Sequence, residues 1–368
     1  MRRRAAILLS RQPLRPCNKD EWVQQSLAAI QYLADRDHEL VSSVGMSTWE
    51  LLTAFGSINQ LPITVVLPAA DRSDFDLLQH STRDQFNLRS DLTSFVPVDP
   101  DVLGQCEGDL RAARDASVVR TADLLLPVSV RDSGNMNELL TMAGDSGKEV
   151  VTSFRAEHCA RSRPLGYHLT PDIFGEQLRT LGGRYLIHWT RTTNRPWPTE
   201  KKVDFYRDIA SSNTYPRHAL HTLGNIVMHG RIVASSRHMP DRVATVSFSA
   251  LAPVEAASLM RWRARYSQMS FEPYGIGIER NAAISAGISP VQYLSRDDCN
   301  SVPKEQRWQT QSFGISGDWV AEKEYRFKGD FDLSAIDKKH VLLFCHFSEE
   351  ATRLSSTTGY RAIPFVQT

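Results

Sequence analysis

The chain has 368 residues, 41% of them hydrophobic and 23% charged, with a formal net charge of +1. That length supports two domains, each burying its own core. The near-neutral balance gives no argument for a nucleic-acid or membrane surface, and no apolar run approaches the length of a membrane span. Five cysteines, at positions 17, 106, 159, 299 and 345, are scattered and form no C-x-x-C pair. They suggest neither a disulfide framework nor a cysteine zinc site, and a reducing cytoplasm fits them best.

The opening Met-Arg-Arg-Arg and Ala5–Leu9 resemble a secretory signal, but the apolar run is short and ends at Ser10-Arg11 without a small-residue cleavage site. It reads as a first strand. Apolar residues at helical spacing follow over Asp20–Leu33, then a strand at Glu39–Val44, a helix at Thr48–Ile58 and a buried strand at Ile63–Leu67. Ser73–Phe86 is polar and weakly helical. Strand, helix, strand, helix and strand signals continue at Ser94–Val98, Leu110–Ser117, Leu124–Val128, Met136–Ala143 and Val150–Phe154. This alternation predicts an α/β Rossmann-like domain over residues 1–155, with a mostly parallel sheet and helices on both faces.

In such a sheet ligands bind at the carboxyl ends of strands, near helix amino ends. Two strand-to-helix loops have a fitting composition: Ser43, Gly45 and Ser47 in the first; Arg131, Gly134, Asn135 and Glu138 in the second. Small side chains and a glycine let backbone N–H groups approach a phosphate. Equally, each glycine can simply make a tight turn. Arg120 and Arg131 are the candidate phosphate partners.

Arg155–Pro171 has no apolar period, and residues 156–183 read as a linker that includes a short helix at Phe174–Leu181. Residues 184–368 are expected to form an α+β domain. Strands are predicted at Tyr185–Trp189, Ile232–Ser235, Ala244–Ser249, Tyr274–Glu279, Pro290–Leu294, Glu322–Phe327 and Val341–Phe347. Helices are predicted at Val203–Ser211, at His218–His229 with Gly230 as its stop, and at Pro253–Tyr266, which carries Arg261, Arg263 and Arg265.

On a strand, Glu322, Glu324 and Arg326 share one face. Either Arg326 neutralises a glutamate, or a glutamate stabilises positive charge on a sugar during cleavage of a C–N glycosidic bond. His188, at a strand end before Trp189 and Thr190, is the histidine to set beside Glu324; a structural role bonded to a carbonyl is the competing reading. Ser247 and Ser249 put two hydroxyls on one face, able to orient a ribose or the glutamate. No H-E-x-x-H or carboxylate cluster suggests a metal, and no G-x-S-x-G elbow suggests a serine hydrolase.

The segment Gly134-Asn135-Met136-Asn137-Glu138-Leu139 resembles the helix entry of the SLOG Rossmann-like superfamily, which includes Lonely-Guy-type phosphoribohydrolases and DprA-like proteins. That resemblance implies a nucleotide-derived ligand. Arg131-Asp132-Ser133 and Asn135 stand where the enzymes of that group are richer in glycine, with a proline and a threonine, so a sensor is implied before a hydrolase.

In the second half, Leu186–Arg191, Thr222–Ser235, Val246–Ser249, Tyr274–Ile278, Pro290–Tyr293 and Trp319-x-x-Glu322-x-Glu324-Tyr325-Arg326 resemble the AbiGi-type abortive phage-resistance family. The His-aromatic-Thr, serine-strand and E-x-E motifs are also similar to ADP-ribosyltransferases. The resemblance implies NAD as substrate, with His188 and Thr190 at a ribose, Tyr274 stacked on nicotinamide, Ser247 and Ser249 lining the site, Glu324 on the transition state and Glu322 at the acceptor.

The expectation is an anti-phage defence protein, whose first half senses a nucleotide-derived signal and whose second half transfers or hydrolyses ADP-ribose from NAD. Its acceptor would be a nucleic acid or protein, with no metal, no membrane and a homo-oligomeric state. The alternatives are an antitoxin-like regulator, a nucleic-acid-binding or nuclease-like toxin, and, for the first half, a nucleotide N-glycosidase with Glu138 as its acid.

Overall fold

The computed structural model describes residues 2–159, 164–237, 239–313 and 319–367. Two compact units emerge: Met1–Ser162 with Asn194–Pro216, and Arg163–Thr193 with Arg217–Thr368.

The first unit alternates β1 (Arg4–Leu9), α1 (Glu21–Asp35), β2 (Glu39–Ser43), α2 (Ser47–Ile58), β3 (Ile63–Leu67) and α3 (Arg72–Gln85). It continues with β4 (Thr93–Pro97), α4 (Pro100–Gln105), α5 (Leu110–Thr121), β5 (Leu124–Ser129), α6 (Asn135–Asp145) and β6 (Glu149–Val150). All pairings are parallel, in the order β4-β3-β2-β1-β5-β6. This is the Rossmann-like arrangement the alternation predicts. β1, β3 and β5 are almost wholly buried, and apolar but for Arg4, Thr64 and Ser129, because helices cover both their faces. The helix α7 (Lys202–Ser211) joins this core through Val203, Phe205, Tyr206 and Ile209. Against the notion of a strand over 150–154, pairing ends at Val150.

The second unit is α+β. Its seven-stranded sheet comprises β7 (Tyr185–Trp189), β8 (Thr245–Ser249), β9 (Gly275–Glu279), β10 (Ser289–Pro290), β11 (Glu324–Lys328), β12 (Val341–Phe347) and β13 (Arg361–Val366). The order is β10-β11-β8-β7-β9-β12-β13, antiparallel except for β12 with β13. Alternation separates two apolar clusters on its faces. Leu186, Val246, Phe248, Ile276 and Leu343 build one, and Tyr185, Ile187, Trp189, Leu342 and Phe344 the other.

Two expectations are corrected. Pro253–Tyr266 is not one helix: helix ends at Ala257, and Trp262–Arg263 pairs antiparallel with Gln268–Met269. The strand holding Glu324 does not include Glu322. Glu322 closes a 3-10 turn, and Lys323 turns left-handed (φ 44°) before β11 begins.

Candidate functional site

In the first unit the sheet order reverses between β1 and β5, and the loops after those strands lie at their carboxyl ends, where sheets of this kind hold ligands. The two loops proposed from sequence differ here. Ser43 is fully buried, and its hydroxyl donates to the Val66 carbonyl, tying β2 to β3. Gly45 takes a positive φ of 84°, and its N–H donates to Glu50 Oε1 (3.3 Å), a carboxylate of α2 itself. Glu50 also accepts from Lys202 Nζ (2.7 Å) and the Tyr206 hydroxyl (3.2 Å). Beneath the loop, buried Arg114 donates to the Val44 carbonyl and pairs with Asp115 (2.8 Å). Ser47 is exposed on the first turn of α2. An acid from the chain itself already serves this loop.

The second loop is open. Gly134 begins α6 with φ 103°, and no side chain caps the helix. The Arg131 guanidinium lies where a β-carbon at Gly134 would stand, and its Nε donates to the Ser133 carbonyl (2.7 Å). Only glycine admits both the φ and the close approach. A cation is thereby held against the positive pole of a helix, an arrangement an anion would relieve. Arg131, Asn135 and Glu138 are exposed here. Asn137 Nδ2 braces the loop on the Asp132 carbonyl (3.1 Å), and the Arg131 N–H donates to Ser10 Oγ (3.0 Å) from the loop after β1.

Gln12 and His158 adjoin the loops after β1 and β5, and sequence reasoning passed over both. Gln12 Nε2 donates to the carbonyls of Ser10 and Ser129 (both 3.1 Å) and lies 3.3 Å from His158 Nδ1. Burial, then the Arg131 charge, pulls the His158 pKa below its usual value. Arg120 pairs with Asp99 (3.1 Å).

In the second unit, register separates what the motifs suggested belonged together. Glu324 pairs across from Ser249, and Arg326 from Ser247, so these four share a face. His188 stands opposite Ile276, on the other face, with its ring edge-on to Phe248. The expected single pocket walled by His188 and Glu324 is therefore not formed. His188 Nδ1 lies 2.9 Å from the Ser247 carbonyl. A carbonyl only accepts, so Nδ1 carries the proton. The bond fills a gap in the ladder, since β7 and β8 pair at Ile187 and Ser249 alone. Burial draws the His188 pKa down to about 4.

Arg326, only 1% exposed, donates Nε and Nη2 to Glu324 (both 2.9 Å), Nη1 to the carbonyls of Trp308 and Thr310, and Nη2 also to Gln311 Oε1. All five guanidinium N–H donors are thereby used. Ser247 Oγ donates to Glu324 Oε1 (2.7 Å). Glu322 is the looser carboxylate, 3.4 Å from Arg263 Nη2. Burial raises its pKa, Arg263 opposes that, and the neighbouring Glu324 adds to it.

The remaining candidates serve the scaffold. Ser249 Oγ donates to the Glu322 carbonyl, and Thr190 Oγ1 is within bonding distance of the Ala219 and Tyr274 carbonyls. Tyr274 is 2% exposed, donates to Glu350 (3.1 Å) and packs edge-on to Tyr167 and His218, which leaves no open ring face of the kind stacking requires. Sequence reasoning also missed Glu272. Fully buried, it accepts from Thr192 N–H (2.6 Å), Thr192 Oγ1 (2.9 Å) and the Tyr167 hydroxyl (2.6 Å). A lone acid in Phe271-Glu272-Pro273 carries no sequence signal for that.

Among the described residues no helix is long and apolar enough to cross a membrane, and no group of three or more His, Cys, Asp or Glu is placed to hold a metal ion.

No known protein family matches the chain, and no curated protein does. Among solved structures, DNA processing protein A (DprA) from Streptococcus pneumoniae is similar at 11% identity and a TM-score of 0.28. That match covers 40% of this chain and 49% of the other.

Proposed function

We propose that the first unit binds a nucleotide-derived small molecule at the carboxyl ends of β1 and β5, with its phosphate held between Arg131 and the amino end of α6. The observation that carries this reading is the Arg131 guanidinium resting over Gly134 at an uncapped helix start. Gln12, His158 and Ser10 would border the rest of the ligand. Titration calorimetry of the whole chain with AMP, ADP and NAD tests it. Saturable binding by the wild type that Arg131→Glu abolishes supports the reading; equal binding by both sinks it.

A second reading concerns the second unit: transfer or hydrolysis of ADP-ribose from NAD. The hydrogen bond from Ser247 to Glu324, with Glu322 close by in a different environment, favours it. Because Arg326 occupies both oxygens of Glu324, Glu322, held by its long contact to Arg263, is the carboxylate left to meet a substrate. Nicotinamide release from NAD, lost in Glu322→Gln and kept in His188→Asn, is the expected result. No release with DNA, RNA or protein extract present counts against it. A defence protein in which the first site governs the second is the whole-chain role these readings join into, and the abortive-infection resemblance supports it.

A further inference from the structure

The second unit contains a cavity of about 490 Å³ that neither reading uses. It is lined by Ala282 and Ala286, the rings of Phe327 and Phe331, and Ile336, with Asp332 among the polar lining groups. Phe331 is buried, and Phe327 meets it edge-on, centroids 5.1 Å apart at 89°. The volume lies within the usual range for small-molecule sites, about 300–1,000 Å³, and an apolar wall with few polar groups is their usual make-up.

The charge at this cavity is acidic. Asp332 and Asp337 each accept from a backbone N–H at the start of a 3-10 turn. These bonds hold both carboxyls below the ordinary range: for Asp332 the Ser334 hydroxyl, then its N–H; for Asp337 the Lys339 N–H, then its side chain. Asp337 is already paired with Lys339 (2.9 Å). In Asp332, both bonds from Ser334, by N–H (2.9 Å) and Oγ (2.6 Å), fall on Oδ1. The Ala335 N–H and the charge of Arg231, its cross-strand neighbour, act more weakly on the same carboxyl. The third titratable lining group, His340, has Nδ1 2.6 Å from Glu279.

We infer that this cavity binds a small molecule with an apolar, ring-sized body and a protonated amine, the body between Phe327, Phe331 and Ile336 and the ammonium on the Asp332 carboxylate. An exposed carboxylate at the rim of an apolar cavity selects a cation by charge, through a charge-assisted hydrogen bond. A neutral ligand gains only the burial, and an anion is repelled.

The test uses three probes of one shape on the whole chain: 2-phenylethylamine, 2-phenylethanol and 3-phenylpropionate, titrated by NMR chemical-shift change. Saturable binding in the order amine, alcohol, acid is expected, with the amine about fivefold tighter than the alcohol, the size of one exposed ion pair. Asp332→Asn keeps an oxygen for Ser334, so it should fold and bring the amine down to the level of the alcohol. Ala286→Phe fills the cavity and should remove all binding. Equal affinities, preference for the acid, no saturation, or an amine preference that survives Asp332→Asn would overturn the assignment. Should Ala286→Phe fail to fold, Asp332→Asn decides alone.

Discussion

Arg131 and Arg326 are both arginines beside glycine- or glutamate-bearing motifs, yet their surroundings are opposite. Arg326 is buried, and every donor it has is met by the protein. Arg131 is exposed, and its side chain is tied through Nε to one carbonyl, with its charge pressed toward a positive helix pole. The comparison teaches that a motif arginine is available in proportion to the donors its own chain leaves unmet. By that measure the first unit offers a site where the E-x-E-x-R strand offers a brace.

The largest effect expected from that contrast is on stability. Glu324→Ala strands a buried guanidinium and should cost about 3–5 kcal/mol in urea unfolding, whereas the double change Glu324→Leu with Arg326→Met should recover much of it. A loss below 1 kcal/mol in the single variant would break the contrast.

Next in size is a pH effect. His188 has a folded pKa of about 4, below the unfolded value of roughly 6.5, so the unfolded chain takes up the proton first. Stability from this group is full above the unfolded value and declines as pH falls toward 4, by up to about 3 kcal/mol. His188→Asn, with an amide N–H for the Ser247 carbonyl, should flatten that dependence in urea midpoints measured between those limits.

Arg131→Glu should weaken nucleotide binding at least about tenfold, or roughly 1.4 kcal/mol, with the unfolding midpoint unchanged. Smallest is Glu322→Gln. Its contact with Arg263 is long and partly exposed, so the stability change should stay within about 1 kcal/mol. A larger loss would make Glu322 a second brace.

Much of the first unit was legible because its strands are buried on both faces. Ile63–Leu67 is buried throughout and apolar but for Thr64, and such a run has few alternatives. Gly230, at φ 63°, ends its helix as predicted for the same local reason. The failures lie where tertiary contacts overrule local pattern. Arg263 is apolar-flanked enough to suit a helix, yet it pairs with Gln268 in a short ribbon. Lys323, already out of pattern in the sequence, turns the chain out of the strand predicted over Glu322–Phe327, its backbone N–H bonding the Val320 carbonyl and its C=O accepting from Ala250. β13 went unseen because Arg361 and Pro364 hide its pattern; at a sheet edge a proline is tolerated. Of the candidate site, the glycine at position 134 was readable from its neighbours. That its loop stays open while the loop at Gly45 is filled by Glu50 depends on Lys202 and Tyr206, about 150 residues away, and no local reading reaches that far.

The helix α7 covers α2 with residues that leave the ribosome only after β7 of the other unit has been made. A nascent or truncated chain ending near residue 162 would carry α2 without that apolar cover. The first unit thus cannot mature ahead of synthesis of the second unit's opening strand, and fragments cut at the apparent boundary should be sticky for want of that cover.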